Sequence, residues 1–184
     1  MNARLTTAVR AAFVAMLVVQ AAPLLAQSQS WDQKFAGANR FKVLSDFNDE
    51  AVLDRETGLV WEKTPETALG GWAFIDDECF SRFTGGRQGW RPPTLEEVLS
   101  LMDPLQNFTG KLPVGHPFDI GSSRTTSLQF WTITSAIVLP ATNDFAYVAN
   151  FEPGGSFFPD PKISVTHRFW CVRSGHGYDG NNAK

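Results

Sequence analysis

Gly89-Trp90-Arg91-Pro92-Pro93-Thr94-Leu95-Glu96-Glu97 is the stretch on which the fold turns. Two consecutive prolines force an extended entry, because each restricts the residue before it to extended backbone. Thr94 and Glu97 then form the sequence pattern of a capping box: the Thr hydroxyl accepts from the third helical amide, and the Glu carboxylate reaches back to the cap. Leu95, Val98, Leu99 and Met102 recur at helical spacing and predict a short amphipathic helix that stops near Asp103-Pro104. A short helix entered so abruptly belongs to a loop-rich domain with aromatic packing, and the abundance of Trp, Phe, Gly and Pro agrees.

Upstream, Trp72, Ile75, Cys79 and Phe83 repeat every three or four residues. Asp76, Asp77 and Glu78 sit at the front of this second predicted helix, where the helix dipole favours anions. Gly85-Gly86 is the expected stop, and Cys79 is placed on the buried stripe. Further back, Ala51-Val52-Leu53 and Leu59-Val60-Trp61-Glu62 flank a polar turn ending in Gly58, which predicts a β-hairpin with Gly58 at the positive-φ position. Phe41–Phe47 partly alternates and reads as a strand. Downstream, Phe130–Ala136, Phe145–Phe151 and Val165–Ser174 read as strands, and Pro153–Lys162 as a Gly/Pro/Phe loop. The expected fold class is α+β: two short helices, a small mainly antiparallel sheet and long irregular loops.

The N-terminus has the layout of an export signal. Arg4 and Arg10 precede the apolar run Ala11–Val19, and small residues at Ala22 and Ala26 offer cleavage points, Ala26 being the preferred one. The apolar run is short for a membrane span. The expected organisation is a cleaved signal over 1–26, a flexible lead-in over 27–40, one domain over 41–175 and a disordered tail over 176–184. Cleavage removes two basic and no acidic residues, so the formal charge of −3 becomes −5. A mildly acidic domain without a Lys/Arg run offers no footprint for nucleic acid. No membrane insertion is expected after cleavage, and the expected location is the periplasm or the outside of the cell. In that oxidising setting the two cysteines, Cys79 and Cys171, read as a disulfide, with two buried free thiols as the alternative.

The ordered set Asp54, Thr57–Trp61, Trp72, Cys79, Gly89–Thr94, Glu96-Glu97, Leu101, Phe130–Ser135 and Trp170–Arg173 resembles the Lcl C-terminal domain family. The likeness runs from about Asp54 to Gly175. Pro92 stands where that family usually has Leu, and Trp131–Thr134 where it has a Trp-Ser-Ser-Thr-like run. The resemblance implies a bacterial exported protein with a C-type-lectin-like fold, related to the formylglycine-generating, sulfatase-modifying superfamily. It also implies kinship with adhesins that bind glycosaminoglycan-like polymers, and it places the two cysteines at the family's structural positions.

No catalytic residue, metal site or cofactor is expected. His116, His167 and His176 lack metal-ligand spacing. His167 alternates with Phe169 and Cys171, and shares their face or sits at its edge. Asp54, Gly58, Trp61, Trp90, Arg91, Thr94 and Glu97 read as structural, with Arg91 paired to a carboxylate or to carbonyls. Ligand binding is assigned to Arg124, Asn143, Asp144, Phe157 and Phe158, since aromatics with amides and acids suit a sugar or a peptide; the same residues would also serve to cap an irregular core. Arg124, Lys111, Lys162 and Arg168 would make a basic patch if the fold gathers them. Thr142–Asp144 and Glu152–Gly154 faintly resemble lectin calcium motifs, though the diagnostic triplets are absent. The expected function is a non-catalytic binding module for a polysaccharide or an envelope or surface protein. The alternative is a metal- or thiol-dependent enzyme of the wider superfamily.

Overall fold

The computed structural model describes residues 35, 37–103, 106, 111–121, 127–139, 142–164 and 166–174. The expected signal, most of the expected lead-in, Arg124 and the expected C-terminal tail lie outside them. Helix α1 (Gly37–Arg40) leads into strand β1 (Phe41–Val43), and the hairpin β2 (Ala51–Asp54) and β3 (Leu59–Glu62) follows. Helices α2 (Ile75–Phe80) and α3 (Leu95–Leu101) come next, then β4 (Gln129–Val138), β5 (Thr142–Asn150), β6 (Phe157–Pro161) and β7 (Val172–Ser174). The strands form two antiparallel sheets, ordered β1-β2-β3-β7 and β4-β5-β6. The fold is α+β, with irregular segments joining short elements.

The hairpin explains its own sequence. Val52 pairs with Trp61 and Leu53 with Val60. Successive side chains leave opposite faces of a strand. Val52 and Trp61 enter one core with Phe41, Val98, Leu101, Phe118, Phe130, Phe151 and Trp170. Ala51 and Val60 enter another with Phe47, Ile75, Cys79, Trp90, Trp131, Val148 and Cys171. A sheet buried on both sides needs continuous apolar runs, which is what Ala51–Leu53 and Leu59–Trp61 supply. The turn is closed by Asp54, whose carboxylate accepts from the Glu56 amide (3.0 Å) and the Thr57 hydroxyl (2.9 Å), and Gly58 adopts φ 74°. Arg40, at the end of the expected lead-in, is buried. It grips both oxygens of Asp54 at 2.7 Å and donates to the Ser100 carbonyl at 2.7 Å. Such a buried, doubly bonded pair holds a charge that would otherwise be costly to desolvate.

The capping box at Thr94 forms on both sides: Thr94 Oγ1 accepts from the Glu97 amide at 3.2 Å, and the Glu97 carboxylate accepts from the Thr94 amide at 2.9 Å. Glu97 also binds Arg91 in a two-pronged pair at 2.6 and 2.8 Å, and Arg91 donates to the Pro92 carbonyl. Leu95, Val98 and Leu101 are buried, so α3 turns its apolar face inward. Cys79 and Cys171 are joined, tying α2 to the residue before β7 across 92 positions of sequence.

Four local expectations are corrected. Phe41–Phe47 is strand only to Val43, after which Ser45–Phe47 makes a 3-10 turn that buries Phe47. Helix α2 ends at Phe80, so Phe83 lies past the helix and is exposed, while Gly85-Gly86 belongs to a separate 3-10 turn. Of the expected strand Val165–Ser174, the described residues 166–174 are regular strand only over Val172–Ser174. The preceding residues make single bridges, Gly70 to His167 and Phe130 to Arg168, because they thread between the two sheets. The expected loop Pro153–Lys162 contains β6, despite Pro159 and Pro161. The bonds Lys162 N–H to Asp144 O and Asn150 N–H to Ser156 O bracket the β5–β6 ladder. Alternation between them turns the backbone of Pro159 and Pro161 to the free edge, where no ladder amide is required.

Candidate functional site

The register of β5 and β6 sorts the residues expected to bind ligand. Phe145 faces Pro161, Tyr147 faces Pro159, Val148 faces Phe158 and Ala149 faces Phe157. Directly opposed residues share a face. Ala146 and Val148 are in the second core, and Phe158 packs against it, so Phe158 and Asp144 point to that side of the sheet. Asn143, Phe145, Tyr147, Phe157, Pro159 and Pro161 occupy the other side. There, Ala149 and Phe130 are covered by the core that α3 closes and Ala136, opposite Phe145, is buried, while Asn143, Phe157 and Pro159 are exposed.

The open part is an aromatic platform. Tyr147 and Phe157 meet edge to face with ring centroids 5.8 Å apart. Phe157 is 45% exposed, Tyr147 and Phe145 are half-buried, and Asn143 is exposed. The platform side chains carry no formal charge. Phe145 and Tyr147 escape a composition-based search for recognition residues in loops, since they lie within a strand. The period-two alternation of Phe145–Phe151 was the signal that could have found them.

Of the five residues expected to bind ligand, Asn143 and Phe157 lie on this face and Asp144 and Phe158 on the opposite one; Arg124 lies outside the described residues. Phe158 sets its ring against His167 at 5.8 Å, a packing contact. Among the described residues the expected basic patch does not assemble. Arg168 is buried, donating to the carbonyls of Glu66, Ile120 and Ser127 while lying over the Phe130 ring at 4.9 Å. Lys162 sits beside Asp144 at one end of β5, and Lys111 beside Phe151 at the other. The two calcium-like triplets are likewise at opposite ends of that strand, roughly 30 Å apart, too far to share an ion that needs its oxygens at about 2.3–2.6 Å.

The remaining polar groups hold the frame. His167 is buried, with Nε2 3.0 Å from Asp160 Oδ2 and its ring edge-on to Trp131 at 4.7 Å. Glu62 is also buried. Its carboxylate accepts from the Thr84 hydroxyl (2.7 Å) and the Cys171 amide (3.2 Å). Desolvation raises its pKa above the ordinary carboxylate value, against the opposing pull of those donors. Glu66 is the converse case: the Ala68 amide, Arg82 and the Thr67 amide hold its pKa down at about 2. His116 accepts from the Phe118 amide, and burial lowers its pKa. Trp90 donates to the Arg87 carbonyl at 2.9 Å and Trp170 to the Glu62 carbonyl at 2.7 Å. Among the described residues, no three His, Cys, Asp or Glu side chains gather as a metal-holding group, and no helix is long and apolar enough to cross a membrane.

Comparison with curated proteins and with solved structures finds no match. A family model does match, over residues 50–173, a span that contains the hairpin, the capping box, both cysteines and the aromatic platform. On that match the chain belongs to the Lcl C-terminal domain family.

Proposed function

We propose that this chain is an exported, non-catalytic binding module, acting in the periplasm or at the cell surface in an adhesin-like or envelope role, and that it recognises a polysaccharide through the aromatic platform. The observation that supports it is the open face built from Phe145, Tyr147 and Phe157 with Asn143 beside them. The C–H face of a sugar ring is apolar and slightly positive, and it stacks on the negative face of an aromatic ring. An amide at the rim offers both a donor and an acceptor to hydroxyls. The uncharged platform and the scattered lysines favour a polymer of neutral sugars over a sulfated one. The engagement of both cysteines in one buried bond supports binding over thiol chemistry, since a disulfide offers no nucleophile.

The test is a glycan array probed with the purified exported chain, with and without calcium and at two salt concentrations. The expected result is calcium-independent binding to a neutral polymer, weakened at least ten-fold by Phe157→Ala and by Tyr147→Ala with circular dichroism unchanged. Unaltered binding by both variants removes the platform from the mechanism. Silence on every glycan makes a surface or envelope protein the leading partner. A stoichiometric bound metal with turnover of a sulfatase-type peptide would restore the enzyme reading.

A further inference from the structure

A second surface, formed by the loop before α2 and by α2 itself, has a different chemistry. Glu66, Leu69, Phe74, Ile75, Glu78 and Phe169 line an open groove of about 260 Å³. Its floor is Ile75 and Phe169, both buried; its rim is Leu69 and Phe74, 54% and 65% exposed. Among the described residues its charged lining groups are Glu66 and Glu78. Asp76 and Asp77 add exposed negative charge on α2. Apolar side chains this large are rarely gathered at a surface without a partner.

We propose that this groove docks a basic, amphipathic segment of a partner protein: a Lys or Arg lays its alkyl stem on Phe74 and Leu69 and brings its cation to Glu66 and Glu78, while a neighbouring apolar side chain enters over Ile75 and Phe169. Charge complementarity selects the sign, because both lining charges are carboxylates and Glu66 stays ionised at any physiological pH. Arg82, 2.7 Å from Glu66 and 5.2 Å over the Phe169 ring, offsets part of that charge, and Glu78 with Asp76 and Asp77 keeps the α2 side anionic. Size selects the class. About 260 Å³ is below the usual range for a whole small-molecule ligand and suits one or two side chains of a longer segment. The amphipathic stem of Lys or Arg is the side chain that satisfies an apolar rim and an anionic wall together.

The groove is also rigid before binding. The Gly70 amide donates to His167 O at 2.9 Å, the Glu66 amide to Phe169 O at 3.2 Å, and the Arg168 guanidinium to Glu66 O. The disulfide anchors α2 on the other side. A preformed groove avoids the ordering cost that a flexible one would meet on association.

The proposal is independent of the platform, and its probe is a labelled, capped peptide of alternating Leu and Lys. It is compared with the same peptide carrying Gln or Glu in place of Lys, each titrated against the exported chain by fluorescence anisotropy at two salt concentrations. The Lys peptide is expected to bind at least ten-fold more tightly than the Gln peptide and to weaken with salt, and the Glu peptide to show no binding. Glu78→Lys and Phe74→Ser, both at exposed positions, are expected to weaken the Lys peptide at least ten-fold, and Phe157→Ala to leave it unchanged. Equal affinity for Lys and Gln peptides, no binding of the Lys peptide, or full binding by Glu78→Lys would each overturn the proposal.

Discussion

Removing the disulfide by the paired change Cys79→Ala and Cys171→Ala tests how the domain is held. The bridge spans 92 positions of sequence. In the chain-entropy account a loop of that size removes about 4–5 kcal/mol of freedom from the unfolded chain. Domains of this kind are stable by about 5–15 kcal/mol in total, so the loss would be a large share of the whole. With a slope of about 4 kcal/mol per molar guanidinium, the unfolding midpoint would fall by about 1 M. The assay is equilibrium unfolding followed by tryptophan fluorescence, which the buried Trp61, Trp90, Trp131 and Trp170 make sensitive. Both sulfurs are fully buried, so reductant added to the folded wild type should act only as fast as the region opens. A loss under about 1 kcal/mol would refute the reasoning, because the chain-entropy term could then not be the main contribution. So would immediate reduction of the native protein.

Glu66→Gln tests a carboxylate whose folded pKa, about 2, lies below its ordinary value of 4.5. A depressed pKa stabilises above the unfolded value, so the contribution is complete above pH 4.5 and fades as pH falls toward 2. The full shift would correspond to about 3 kcal/mol, and screening at this partly exposed site reduces that to about 1–2 kcal/mol. Denaturant midpoints of wild type and variant should therefore differ at pH 7 and converge near pH 2–3. Gly85→Ala should destabilise by about 2–4 kcal/mol by the same assay, combining left-handed backbone with overpacking. Gly85 has φ +64°, and an added Cβ would come within 2.5 Å of Phe47 Cβ.

What the sequence disclosed was local. The hairpin turn at Asp54–Gly58 and the cap at Thr94–Glu97 are satisfied by hydrogen bonds between residues two to four positions apart, and such short loops leave a readable pattern. The paired cysteines were legible for a different reason, the oxidising setting expected from the N-terminal sequence. What stayed hidden is long-range. Arg40 and Asp54 are 14 positions apart, and Arg168 finds Glu66 across 102, with no periodicity to announce either. The prolines of β6 hid a strand because their tolerance depends on which edge is free, a property of the sheet and not of the segment. Phe83 had the helical spacing of Ile75 and Cys79, but α2 stops one turn short of it. The candidate site was half legible. Asn143 and Phe157 were chosen for their chemistry, and the register that joins them to Tyr147, while sending Phe158 into the core, needed the sheet.

The two proposed binding surfaces lie on opposite sides of one packed layer. Alternation along β5 puts Asn143, Phe145 and Tyr147 on one side, while Val148 faces the core that also receives Ile75, Cys79 and Phe169. That core lies between the platform sheet and α2, so the groove is backed by the reverse side of the same packed layer. Trp72 donates to Thr132 O at 2.8 Å and Trp131 to Gly70 O at 2.9 Å, which fixes the α2 region directly to β4. A close-packed core is stiff, and two sites couple through it only where an element has two discrete arrangements. The geometry therefore favours independent binding at the two surfaces: a Lys peptide in the groove should leave glycan affinity unchanged, and a glycan on the platform should leave peptide affinity unchanged. Reciprocal coupling, which thermodynamic linkage requires to be equal in both directions, would instead mean that the shared core has a second packing.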